Sequence, residues 1–233
     1  IDVRGNEYTD TEDVLSIFHD AILRSSAVKR FMGAGNMLAW PNALQPSDAE
    51  FVPRVKNLSI EKSWRTRVIA ITVTERIPVG VWCLSEEAHT ELQMEKSAKN
   101  CFWFDGDGIA FESAPEVEGS LIHAVNDYSA LATSSVARVA GLSQKILPPE
   151  FISNLFSIFN ALDDSGFAIR EVRLEDLALE EMKVRTYDGP ELYFSLRFPA
   201  QNASAVLQSL SQSGSMNQLQ YVDFRVENRA YYK

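Results

Sequence analysis

No stretch of the 233-residue chain holds the run of about 18 apolar residues that a membrane-crossing helix needs. Basic residues are outnumbered, 22 Lys and Arg against 32 Asp and Glu, for a formal net charge of −10. That balance argues against a nucleic-acid partner, because phosphate binding requires a basic surplus on one face. Three histidines (His19, His89, His123) and two cysteines (Cys83, Cys101) are too scattered for a structural zinc site. No metal or cofactor is expected. A Gly-x-Ser-x-Gly elbow, a P-loop and a dinucleotide glycine motif are all missing, as are internal repeats and low-complexity tracts. No secretory leader is visible. The chain starts at Ile1 rather than Met, directly in a strand-like stretch, so a preceding segment is expected to have been removed.

What is present is a chain with 45% hydrophobic residues, an ordinary globular share, and long enough for one large or two ordinary domains. Residues 1–6 read as a short strand ending in a turn. Thr9 and Glu12 have capping-box spacing, followed by Val14, Ile17, Phe18, Ala21 and Ile22 at helical period. A second helix is predicted over 27–32, closed by Gly33. Trp40-Pro41 reads as loop, and Ser47 and Glu50 suggest another short helix ended by Pro53. Val55, Leu58 and Ile60 mark one strand, and the β-branched run 68–73 a second, with Ile69, Ile71 and Val73 on one face. Together these make a βααββ-type unit over residues 1–78.

From residue 79 the pattern shifts to short strands. Residues 79–83 and 101–104 are strand-like, flanking a polar stretch from Glu86 to Asn100 that includes Glu86-Glu87. Asp105-Gly106-Asp107-Gly108 reads as a hairpin turn into 109–111, and 121–125 as a further strand. Pro148-Pro149 opens a helix with Phe151, Leu155, Ile158, Phe159 and Leu162 on one face, stopped by Gly166. Strands are predicted at 167–174 and 182–186. Asp188-Gly189 turns into alternating Leu192, Phe194 and Leu196. Ala203, Val206, Leu207 and Leu210 form a last helix. Finally Val222, Phe224 and Val226 alternate with Tyr221, Asp223, Arg225 and Glu227. The fold class expected is α+β: the small unit, then a larger, mainly antiparallel β domain over 79–233 with its strands joined mostly by turns.

Three features invite chemical readings. Phe104-Asp105-Gly106-Asp107-Gly108-Ile109 resembles the first motif of haloacid-dehalogenase-type phosphatases, with Asp163-Asp164 as a conceivable magnesium pair. The return strand after it favours a plain turn, for which Asp and Gly are the preferred residues. Cys83 ends one strand and Cys101 begins another, so they can face each other as a disulfide in an oxidising compartment or remain a pair of buried thiols. The terminal strand can lie at a sheet edge, offering unpaired backbone groups to a partner, or can complete the sheet from inside.

Several stretches in order resemble the FtsQ/DivIB bacterial cell-division family. The opening Ile-x-Val-x-Gly-Asn followed by a helix resembles a POTRA module. The stretch Ile71-Thr72-Val73-Thr74-Glu75-Arg76-Ile77-Pro78-Val79-Gly80-Val81-Trp82 is similar to that family's interdomain junction. Residues 104–111 resemble its hairpin, Pro115-Glu116-Val117-Glu118-Gly119 the Pro-x-Leu-x-Gly that follows it, and Tyr221-Val222-Asp223-Phe224-Arg225 its closing strand. The resemblance implies a non-enzymatic divisome scaffold with one membrane helix before Ile1 and this region outside the cytoplasmic membrane. It implies FtsB/FtsL-type coiled-coil partners, one of which adds a strand at Tyr221, Val222, Asp223, Phe224, Arg225 and Val226, flanked by Arg229, Tyr231 and Tyr232. An extracytoplasmic place favours the Cys83–Cys101 bridge, which is not a general family feature. The rival expectations are the phosphatase on Asp105 and Asp107, and a POTRA-bearing export or surface protein.

Overall fold

The structure is a computed structural model and describes residues 1–43, 52–84, 100–119, 121–129, 142–212 and 219–233. The capping pair Ser47/Glu50, His89 and the Glu86-Glu87 cluster lie outside the described residues. The chain is α+β and divides into two compact units, Ile1–Ile77 and Pro78–Lys233.

Among its described residues the first unit is a three-stranded sheet with two helices. Strand β1 (Asp2–Arg4) pairs parallel with β3 (Val68–Glu75), which pairs antiparallel with β2 (Val55–Ser63), giving the order β1-β3-β2. Helices α1 (Thr11–Arg24) and α2 (Ala27–Met32) lie between β1 and β2 in sequence. Alternation in β3 turns Ile69, Ile71 and Val73 inward, where they meet Val14, Phe18 and Ile22 of α1. Trp40, read as loop, is a core residue. It is 1% exposed, lies 5.4 Å from Phe18, and its indole donates to the Ala34 carbonyl at 2.7 Å.

Thr9 does not cap α1. The N-cap position is Asp10, which makes no side-chain cap bond. The Glu75 carboxylate, at the far end of β3, instead accepts the backbone N–H groups of Thr9 (2.7 Å) and Tyr8 (3.0 Å). An anion placed just before a helix is favoured by the orphan amides and the dipole there. Burial pushes the Glu75 carboxyl up, but hydrogen bonds from Thr9 and Tyr8 outweigh it and bring it below its ordinary value. Next to it, the Arg76 guanidinium donates to the Pro53 carbonyl at 3.0 Å.

The second unit is a ten-stranded sheet in the order β13-β12-β11-β10-β9-β7-β4-β5-β6-β8. Its strands are β4 (Gly80–Leu84), β5 (Asn100–Phe104), β6 (Ile109–Ala114), β7 (His123–Asp127), β8 (Gln144–Lys145), β9 (Ile169–Leu174), β10 (Glu181–Thr186), β11 (Glu191–Ser195), β12 (Tyr221–Phe224) and β13 (Tyr231–Tyr232). The sheet is mixed. β4–β7, β7–β9 and β11–β12 pair parallel, and the other neighbours antiparallel. Two of the parallel pairs are bridged by helices, α3 (Pro149–Ser165) between β7 and β9 and α4 (Ala203–Gln212) between β11 and β12. Strands running the same way need a crossover, so this unit is not joined by turns alone. The strand expected at 121–125 begins two residues later, and β8 was not anticipated.

Both helices bury one face on the sheet. Leu155, Ile158 and Phe159 of α3 and Ala203 and Leu207 of α4 share a core with Trp82, Phe104, Val125, Val172, Leu174, Met182, Val184, Leu192, Phe194, Val222 and Phe224. Pro149 stands in the first turn of α3, and Gly166 ends it at φ +70, as a left-handed C-cap requires. Gly80 is a close approach: a Cβ there would stand 2.6 Å from the His123 carbonyl oxygen and 2.7 Å from the Phe104 ring.

On the opposite face, Val81, Cys83 and Cys101 form a small cluster with Val117, Ile122 and Ala124. Cys83 and Cys101 are direct cross-strand partners and are joined by a disulfide. The bridge closes a loop of sequence separation 18. Replacing both cysteines by Ala is expected to cost about 3 kcal/mol in the chain-entropy picture. A denaturant titration with and without reductant measures it, and mass spectrometry of non-reduced protein should find no free thiol.

Candidate partner-binding edge

The sequence motif at 221–225 folds into β12, but β12 is not the outermost strand. It is held on one side by β11 in parallel register, Glu191↔Tyr221 through Phe194↔Phe224. On the other side lies β13, antiparallel, with Val222↔Tyr232 and Asp223↔Tyr231. The strand ends at Phe224, short of Val226. The chain then turns, with the Arg229 N–H donating to the Val226 carbonyl at 3.1 Å, and returns along β12. The Gln220 N–H donates to the Lys233 carbonyl (2.6 Å), and the Lys233 N–H to the Tyr221 carbonyl (3.3 Å). Expecting the backbone of this segment to stay unpaired therefore fails over Tyr221, Val222 and Asp223. A chain that reverses within about six residues can satisfy its own edge, and buried or half-buried amides seek partners.

Alternation divides the edge into two faces. Val222 (0% exposed) and Phe224 (6%) point to the helices, Phe224 stacking on Phe194 at 5.2 Å. Tyr221, Asp223 and Arg225 belong to the outward face. There Arg225 donates to both Asp223 oxygens (2.9 and 2.6 Å), reaches Glu181 at 2.9 Å, and lies 5.0 Å over the Tyr193 ring. Tyr193 donates to Glu191 (2.8 Å), which also pairs with Lys183 at 3.0 Å and Arg185 at 3.3 Å. Farther in, Glu171 accepts from Tyr128 and Asn126, and Arg173 stacks on Tyr128. A charged and aromatic ladder thus runs from β7 to β12. It was not read from the sequence, although the period-2 runs Glu171/Arg173, Lys183/Arg185 and Glu191/Tyr193 carry the signal.

The ladder sets an acid limit on stability. The Arg225 hydrogen bonds hold the Asp223 carboxyl below its ordinary value. Burial pushes Glu191 up, but hydrogen bonds from Tyr193 and Lys183 outweigh it and carry it down. Folded carboxyls that are depressed contribute stability above the unfolded carboxylate range and lose it as pH falls through their folded values. Stability is expected to be level from neutral pH to about pH 5 and to fall below about pH 4. Arg225→Met should remove part of that acid dependence, as urea midpoints measured across the range will show.

The other candidate residues are placed apart from this edge. Asp105 is 2% exposed in the β5–β6 turn, and its Oδ1 accepts the Asp107 (3.0 Å) and Ile109 (2.9 Å) N–H groups. Gly108 supplies the positive φ, +71, that closes the turn. The motif joins two antiparallel strands, whereas the phosphatase arrangement leaves a parallel strand toward a helix. Asp163, at the end of α3, pairs with His123 at 3.3 Å, and Asp164 accepts from Ser204 at 2.9 Å. His123 stacks on Phe159 at 4.3 Å beside a cavity of about 230 Å³, and none of the cavity's described lining residues is Ser, Thr or Cys. Among the described residues there is no His, Cys, Asp and Glu cluster fit to hold a metal, and no helix is long and apolar enough to cross a membrane.

The fold and this edge define an α+β protein whose wide mixed sheet ends in a short, self-paired C-terminal strand. No protein-family model matches the chain, and no curated protein matches it at a significant level.

Proposed function

We propose that the chain is the extracytoplasmic part of a non-enzymatic, single-pass scaffold of bacterial cell division of the FtsQ/DivIB type. Its first unit would be a POTRA module, and its second would bind an FtsB/FtsL-type partner by strand addition at the C-terminal end of the sheet. The observation that carries this reading is the place of β12: the stretch resembling the family's closing strand lies at the sheet's end, with only a two-residue strand beyond it. The first unit's succession of strand, two helices and two strands supports the reading of its first module. Main-chain bonds would supply affinity, and the aromatic and charged side chains of the outward ladder specificity. Titration with an FtsB-type peptide should give saturable binding, with amide signals of residues 221–226 perturbed. A footprint confined to residues 1–77, or no binding at all, rejects the proposal.

A further inference from the structure

The tail that returns along β12 is short and exposed. Its strand has two residues, which remain 47% (Tyr231) and 59% (Tyr232) exposed, in contrast to the buried Val222 that Tyr232 opposes. The turn leading into it passes through Asn228 at φ +58, a left-handed conformation that Asn tolerates. In this turn Asn202 donates to Asn228 at 2.8 Å and Arg229 to Tyr231 at 3.4 Å. The register with β13 stops at Asp223, one residue short of Phe224. Next to Phe224, between residues 198–203 and the turn 226–229, lies a cavity of about 80 Å³ lined by Phe198, Ala203 and Val226 among others.

We infer that residues 229–233 are an internal strap occupying, with two residue pairs, a slot beside β12 that takes a longer antiparallel segment of a partner polypeptide. This rests on the strand-addition reading above and specifies its geometry and its regulation. The partner's segment pairs with all of β12 and displaces the tail. Directly opposed residues of an antiparallel pair share a face. The segment therefore carries apolar side chains opposite Phe224 and Val222, the first reaching the cavity, and a polar one between them opposite Asp223 and its Arg225 ion pair. Its sequence pattern is apolar–polar–apolar, and its affinity is reduced by the fraction of chains in which the tail is docked.

The test compares the full chain, a chain ending at Glu227, which keeps β12 whole, and the double variant Tyr231→Pro/Lys233→Pro, which at full length removes the strap's N–H groups on the side facing β12, the Lys233 N–H that donates to Tyr221 among them. Each is titrated with the same FtsB-type peptide. Tenfold or tighter binding to both altered chains than to the full chain is expected. Equal or weaker binding to them, with the full chain binding normally, overturns the strap and leaves strand addition standing. Dimerisation of the shortened chain without tighter peptide binding assigns the slot to a second copy and overturns the partner. No binding by any of the three removes the strand-addition reading and the strap with it. Should the shortened chain fail to fold, the proline variant decides alone.

Discussion

A chain ended after Gln220 is expected to lose all measurable binding to an FtsB-type peptide, the reverse of the gain expected when only the strap is removed. The two cuts differ by β12. Ending at Gln220 takes away Val222 and Phe224, which are buried against the α4 side of the sheet, together with the four-residue parallel ladder to β11. Losing a buried Phe side chain alone costs about 3–5 kcal/mol, so the second unit should be destabilised by at least about 4 kcal/mol. Because binding and folding fall together in this cut, a milder variant separates them. Asp223→Asn/Arg225→Met leaves Val222 and Phe224 in place and dissolves the outward ion pair. It should weaken binding while leaving the unfolding free energy at neutral pH within about 1 kcal/mol of the parent. The first unit, with its own core around Phe18, Trp40 and Ile71, should still unfold cooperatively in the shortened chain. Retention of full binding after the Gln220 cut would move the docking site elsewhere.

Trp82→Ala is expected to destabilise the second unit by about 4 kcal/mol, with little effect on the first. Trp82 is 1% exposed on β4, an interior strand that pairs with both β5 and β7. Its ring meets Phe104 edge-on at 6.5 Å, and its indole N–H donates to the buried Asp127 carboxylate at 3.2 Å. Asp127 in turn accepts the Ser129 backbone N–H at 2.8 Å. Truncation would leave a cavity and withdraw one donor from a buried anion, two costs that add. Trp82→Phe separates them, since it restores most of the volume but no donor. It should recover roughly half of the loss. Chemical denaturation followed by far-ultraviolet dichroism measures both, and equal stability of parent and Trp82→Ala would contradict the packing described.

Local pattern announced much of this fold. Helical period marked α1 and α3, with Pro149 and Gly166 at the ends of the latter. Period-2 alternation marked β3, β11 and β12, and the Asp-Gly pairs marked the turns. Each of these signals is carried by residues a few positions apart, where backbone geometry alone sets which side chains share a face. The amide partner before α1 was not legible, because Glu75 lies 66 residues from Thr9. Trp40 looked like loop because no periodicity surrounds it, and burial is decided by what packs on it.

By itself the sequence determined the α+β class, the change of pattern near residue 78, the inward sets of the longer strands and the strand that begins at Tyr221. Tertiary structure alone decided which strands are neighbours, where the parallel pairs fall, and that Tyr231-Tyr232 lies along β12. The reason is physical: a strand's face is a property of its own alternation. Its neighbour is chosen by loop closure and by competition among all available backbone edges. A two-residue strand such as β13 has too little alternation to announce itself before that competition is resolved.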